Sequence, residues 1–167
     1  RMARNVVESA ATVSVLDRLM DSEPGNPYEV PLSRAESVRI VKSDVRRYLE
    51  WLMNTRRIAV EPPDGLKELN RSLYMFGLPD LMSYAIANPK DRARLLRTLQ
   101  NAVRLFEPRL AQVRVAPLDE QNPSRQMLSF RVEGLLIMDP APEHVSFDTV
   151  LEITRGEYNV KGDADAR

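Results

Sequence analysis

The spacing of apolar residues along this chain changes once, between Asn88 and Ala116. Before that point they recur at three and four, which is helical; after it they alternate, which is the spacing of strands. The strongest helical stripe is Leu95, Leu96, Leu99, Ala102, Val103 and Phe106. Asn88 can cap that helix, Pro89 suits its first position, and Asp91 places a carboxylate in its first turn. Pro108 cannot continue the helix and biases Glu107 away from helical angles, so the chain turns at Glu107-Pro108-Arg109. A carboxylate at a helix C-terminus opposes the helix dipole unless a positive group answers it, and Arg109 or an arginine from elsewhere could do so. Two readings stand. Either these are surface residues flanking a proline, or they form a paired turn that fixes the angle between helix and sheet or docks a partner.

Upstream, residues 1 to 12 lack a pattern and read as a tail. Val15, Leu16, Leu19 and Met20 fall on one side of a short amphipathic helix, capped by Ser14 and stopped at Pro24-Gly25. A helix so short is marginal alone, so it is expected to lie on its own domain or on another subunit. Prolines from there to Ser33 read as a linker. Ser33 and Glu36 then form a capping-box pair, and Val38, Val41, Val45, Tyr48, Leu49 and Leu52 trace a buried stripe. Ile40 and Trp51 fall nearly opposite it. An off-stripe tryptophan suits a partner surface, unless the N-terminal segment covers it. Asn54 to Arg57 end the helix, EPPDG makes a loop, Gly77 breaks an apolar segment, and a short helix is expected from Pro79 to about Ala87.

Downstream, Ala111, Val113 and Val115 alternate with Gln112 and Arg114 as a first strand. Leu128, Phe130 and Val132 alternate as a second, which Gly134 interrupts as a bulge would. After a turn from Asp139 to His144, Phe147 to Thr154 read as a third strand. Arg155-Gly156-Glu157 then turns into a fourth around Tyr158 to Val160. The expected fold is α+β, with a helical N-terminal half and a small, mostly antiparallel sheet of three to four strands packed on the central helix. Residues 1–30 would hold the tail, docking helix and linker, 31–162 a single domain, and 163–167 a frayed end.

Charge adds an asymmetry. Lys plus Arg and Asp plus Glu are both 24, so no global field pulls the chain toward nucleic acid or membrane. From Pro117 onward there are ten acids against five bases, and the earlier residues carry the compensating positive excess. Cysteine is absent, which excludes disulfides and thiolate chemistry, and no apolar run approaches the roughly 18 residues of a membrane span. We therefore expect a cytoplasmic protein without direct membrane insertion.

Catalytic signatures are sparse. His144 is the single histidine and has no serine or cysteine signature near it; no glycine-rich phosphate loop or EF-hand occurs, and we expect no cofactor and no metal. Abundant acids permit a glycosidase pair only if two carboxyls are held at the right separation. Lys90, Arg94, Arg97 and Arg104 form a basic ridge opposite the leucines, but no aromatic residues interleave with it, so it reads as a solvated or protein-facing side and no nucleic-acid partner is expected.

Five stretches, VSVLDRLMDSEP, DVRRYLEWLMNTRR, FGLPDL, RLFEPRL and the following VRV, resemble in order and spacing the TssE family, the baseplate subunit of bacterial type VI secretion systems. That family is related to the contractile-phage baseplate wedge protein once labelled lysozyme-like. The resemblance covers about Ser14 to Val160 and departs in the N-terminal tail and in Pro117 to Arg125. It implies a structural assembly protein rather than an enzyme, placed at the inner face of the cell envelope. Its implied partners are the other wedge subunits and the contractile sheath subunits, whose polymerisation it would initiate. The family's Glu-Pro-Arg signature falls on Glu107, Pro108 and Arg109.

On that basis we expect strand pairing with the sheath at a sheet edge, placed at Val145, Phe147, Thr149, Leu151 and Ile153 or else within Met127 to Met138. Val15, Leu16, Leu19, Met20 and Trp51 would dock on the wedge. A peptidoglycan glycoside hydrolase is the alternative, and a nucleic-acid binder resting on the basic ridge is a third.

Overall fold

Ser33 opens the first long helix of the computed structural model, which describes residues 19, 33–80, 84–85, 87–118, 127–139, 141–152 and 155–162. Helix α1 is Arg34–Asn54, and both halves of its capping box are made: Ser33 Oγ accepts from the Glu36 amide and the Glu36 carboxylate accepts from the Ser33 amide. Val41, Val45, Leu49, Leu52 and Met53 are its buried apolar positions, while Val38 and Tyr48 are half-buried and Ile40 and Trp51 stay exposed. Helix α2 is Pro89–Phe106, capped by Asn88 Oδ1 on the Lys90 amide at 3.0 Å. It buries Leu95, Leu96, Leu99 and Val103, as its spacing requires.

Between the helices the chain makes two short 3₁₀ turns, Lys67–Arg71 and Leu73–Met75. It then forms a parallel bridge from Leu78 to Arg56, with Leu78 donating to Thr55 O and Arg57 donating to Leu78 O, both at 2.8 Å. This anchors Gly77-Leu78 beneath the end of α1. The helix expected from Pro79 to Ala87 is not found at the described residues there. Their polar groups are engaged elsewhere, since Asp80 pairs with Arg56 at 3.3 Å and the Ala85 amide donates to Asp91.

After the turn at Glu107 the chain forms an antiparallel sheet of strands β1 Leu110–Pro117, β2 Met127–Leu136, β3 Glu143–Glu152 and β4 Glu157–Val160, in the order β1-β2-β3-β4. One face carries Leu128, Phe130, Val132 and Leu136 beside Val145, Phe147, Thr149 and Leu151, with Tyr158 and Val160 at the end, and all are buried. The two helices supply most of the rest of this core, with Leu78 from the segment between them and Leu110 and Val113 from β1. The opposite face is polar, and Arg131 and Asp148, directly across from each other, form a two-pronged pair at 2.6 and 3.1 Å.

The bulge expected at Gly134 lies on the neighbouring strand. β2 keeps its alternation through Gly134, whereas β1 fits one extra residue between Ala111 and Arg114, with Gln112 at φ +52°. Ala111, Val113 and Val115 therefore do not share one face; Leu110 and Val113 are the buried positions. Gly134 is the mark of that bulge, because a Cβ there would come within 3.1 Å of the Ala111 carbonyl oxygen.

Candidate interaction surface at the junction of helix and sheet

Pro108 stops α2, and the last helical contact is the Glu107 amide on Val103 O at 2.8 Å. The side chain then turns inward, so Glu107 is only 3 % exposed. Arg109 answers it with a two-pronged pair: Nε donates to Oε1 and Nη2 to Oε2, each at 2.7 Å, and the Arg109 amide adds a bond to Oε1 at 3.3 Å. Flanking backbone bonds sew the turn to the sheet, with Leu110 donating to Glu107 O and Ile137 donating to Arg109 O. The geometry is that of the paired turn, and the partner of Glu107 is its near neighbour.

The guanidinium also lies over the ring of Tyr48, 5.0 Å from its centroid, which ties the turn to α1. Hydrogen bonding to Glu107 pushes the Arg109 pKa above its ordinary value against the effect of burial, with the charges of Glu107 and Asp44 and the Tyr48 group adding to the rise. Tyr48 meets Trp51 edge to face at 5.4 Å, Arg47 lies 5.7 Å from the Trp51 centroid, and Arg47 pairs with the buried Asp44 at 3.2 Å. A continuous row of charged and aromatic groups thus runs from the turn to Trp51, which is 45 % exposed. Asp44 and Arg47 belong to this row but were not singled out in the sequence. Their signal was the helical spacing that puts Asp44, Arg47, Tyr48 and Trp51 on one side of α1.

The remaining expected site residues fare differently. Val15, Leu16 and Met20 lie outside the described residues; Leu19 is helical and 77 % exposed. Thr149 and Leu151 lie where β3 is flanked by β2 on one side and β4 on the other, because the hairpin at Gly156 brings the chain back alongside Thr149–Glu152. Val145 and Phe147 lie where β3 pairs with β2 and, among the described residues, no strand follows on its other side. Ile153 falls outside the described residues. The alternative edge within Met127 to Met138 is also internal, since β2 pairs on both sides.

His144 is exposed on β3. On the basic ridge, Arg94 stacks 5.6 Å from the Tyr84 ring and Arg104 bonds to Val113 O. The two buried carboxylates among the described residues, Asp44 and Glu107, are both paired with arginine. No described helix is long and apolar enough to cross a membrane.

No significant match emerges among curated proteins or solved structures. Residues 40–141 match the family model described as baseplate wedge protein gp25, a span of more than half the chain that takes in most of α1, the Gly77 joint, α2, the Glu107 turn, β1 and β2. The chain therefore belongs to the baseplate wedge protein gp25 family, which supports a structural role in a baseplate.

Proposed function

We propose that this protein is a structural component of a type VI secretion baseplate, assembled at the inner face of the cell envelope, where it joins the other wedge subunits and initiates the contractile sheath by strand pairing. The observation that carries the reading is the Glu107–Arg109 pair set at the joint of helix and sheet and continued over Tyr48 to the exposed Trp51. Such a row fixes a rigid surface and offers an aromatic anchor rimmed by charge, the composition that protein partners recognise.

The hydrolase reading gains no support from the buried acids. Both buried carboxylates among the described residues, Asp44 and Glu107, are engaged in arginine pairs that tie the turn and α1 together.

The test is Trp51→Ala, which removes an exposed side chain and should leave the fold intact. We expect loss of co-purification with the other wedge subunits and few or no sheaths in cells carrying it. Normal wedge assembly and normal sheath numbers would overturn the proposal.

A further inference from the structure

Strand addition needs outward-facing backbone groups, and on both outer strands the helices already occupy some of them. Beside β4, the Asn54 amide donates to Tyr158 O at 2.9 Å and accepts from Tyr158 N at 2.8 Å, and Arg46 donates to Val160 O at 3.2 Å. Beside β1, Arg104 Nη2 donates to Val113 O at 3.0 Å and Gln100 Oε1 accepts from Val115 N at 3.3 Å.

The two covers differ in kind. An asparagine amide stands one methylene from its helix, so its paired bonds hold the last turn of α1 close to where a neighbouring strand would lie, about 4.8 Å away. The end of α1 is thus bound to the outer side of β4 through a short side chain. Gln100 and Arg104 reach β1 on longer arms, Arg104 from an exposed position, and both can swing aside while α2 keeps its core contacts. Arg97 lies two turns before Arg104 on the same side of α2, and Arg114 is exposed on β1 itself, so arginines border this edge.

We infer that the outer edge of β1 is the strand-accepting edge of this protein and takes an acidic extended segment, with Gln100 and Arg104 as place-holders that yield to it. The inference rests on the strand-pairing reading and identifies the edge, its cover and the charge of its guest. It also gives the basic ridge of α2 a use. The bulge at Gln112 and the missing amide of Pro117 limit the usable edge to the residues between them.

The test uses the full chain with two short synthetic peptides, one alternating valine and glutamate and one alternating valine and lysine. Residue-resolved amide exchange and fluorescence anisotropy are the readouts. We expect the glutamate peptide to slow exchange at Val113 and Val115 at least ~10-fold while Tyr158 and Val160 are unchanged, and to bind more weakly as salt rises. The lysine peptide should bind at least ~10-fold more weakly, and Arg97→Glu with Arg104→Glu should reverse that order. Protection at Tyr158 instead, equal binding of the two peptides, or no protection up to roughly 1 mM peptide would overturn the inference. Sheath formation in cells separates it from the reading beneath it. If the charge-reversed protein loses the glutamate peptide but seeds sheaths normally, the edge stands and the sheath role fails; if sheaths are lost although the wild-type Val113 and Val115 amides are never protected, the edge fails and the sheath role stands.

Discussion

Gly77 packs directly against the carbonyl of Thr55, with no room for a Cβ between them, and holds φ +106°, a backbone region that L side chains rarely adopt. Sterics and backbone angle both demand glycine here, because Leu78 must reach α1's end to form its bridge. Gly77→Ala should therefore destabilise the protein by at least ~2 kcal/mol, lowering Tm by roughly 4–8 °C for a chain of this size. Gly65→Ala is the control: its φ is +94° but nothing lies within 4 Å of the added carbon, so the loss should be smaller. Thermal unfolding of the two variants checks the difference, and equal losses would mean that the contact with Thr55 is irrelevant.

The Glu107–Arg109 pair should respond unequally to loss of either member. Arg109→Ala strands a carboxylate whose side chain is 4 % exposed, while Glu107→Ala leaves a guanidinium that is 21 % exposed and still lies over Tyr48. Breaking a buried pair costs about 3–5 kcal/mol, and the partly wet arginine should bring the glutamate variant below that range. We expect urea midpoints in the order wild type, Glu107→Ala, Arg109→Ala. The double variant should be less impaired than the two single losses added together. Additive losses would show that the pair is not coupled.

Much of the fold was legible from local pattern. The caps at Ser33 and Asn88, the stripes of α1 and α2 and the hairpin at Gly156 each follow from residues close in sequence, where spacing and side-chain chemistry decide the outcome. The Glu107–Arg109 pair was legible for the same reason, since only Pro108 separates its members. What was not legible depends on neighbours far along the chain. Gly134 announced an irregularity, but only the pairing with β1 reveals that the extra residue belongs to the other strand. Val145 to Leu151 had the pattern of a strand, and no local signal tells which stretch of it is flanked on both sides. Likewise Asn54 looked like an ordinary helix end; its bonds to Tyr158 span 104 positions of sequence.

Asn54 provides a third prediction. Its amide supplies both a donor and an acceptor to Tyr158, so Asn54→Ala loses two neutral hydrogen bonds of about 0.5–1.5 kcal/mol each. Asn54→Asp should be worse than alanine, because a carboxylate oxygen would then face the Tyr158 carbonyl. Urea unfolding gives the order of the variants. Amide exchange at Tyr158 shows whether the loss is local, and unchanged protection there in Asn54→Ala would mean that the amide does not hold β4.

Tyr158 should set the alkaline limit of stability. Its ring is buried against Phe130, with centroids 6.2 Å apart, and its hydroxyl has no hydrogen-bond partner among the described residues. Burial therefore pushes the phenol pKa well above its ordinary value, with Tyr84 adding to the rise. In the unfolded chain the group releases its proton near pH 10, while the folded protein retains it. Above that pH the unfolded state binds fewer protons, so stability is fully present below about pH 10 and falls as pH rises further. Tyr158→Phe cannot ionise and loses only an unpaired hydroxyl, so at neutral pH it should be as stable as wild type or up to ~1 kcal/mol more so. Its advantage should widen between roughly pH 10 and 11.5, a window in which denaturant midpoints of the two proteins can be compared directly. If the two proteins lose stability in parallel across that window, the buried phenol does not impose the limit, and ionisation of other groups must account for it.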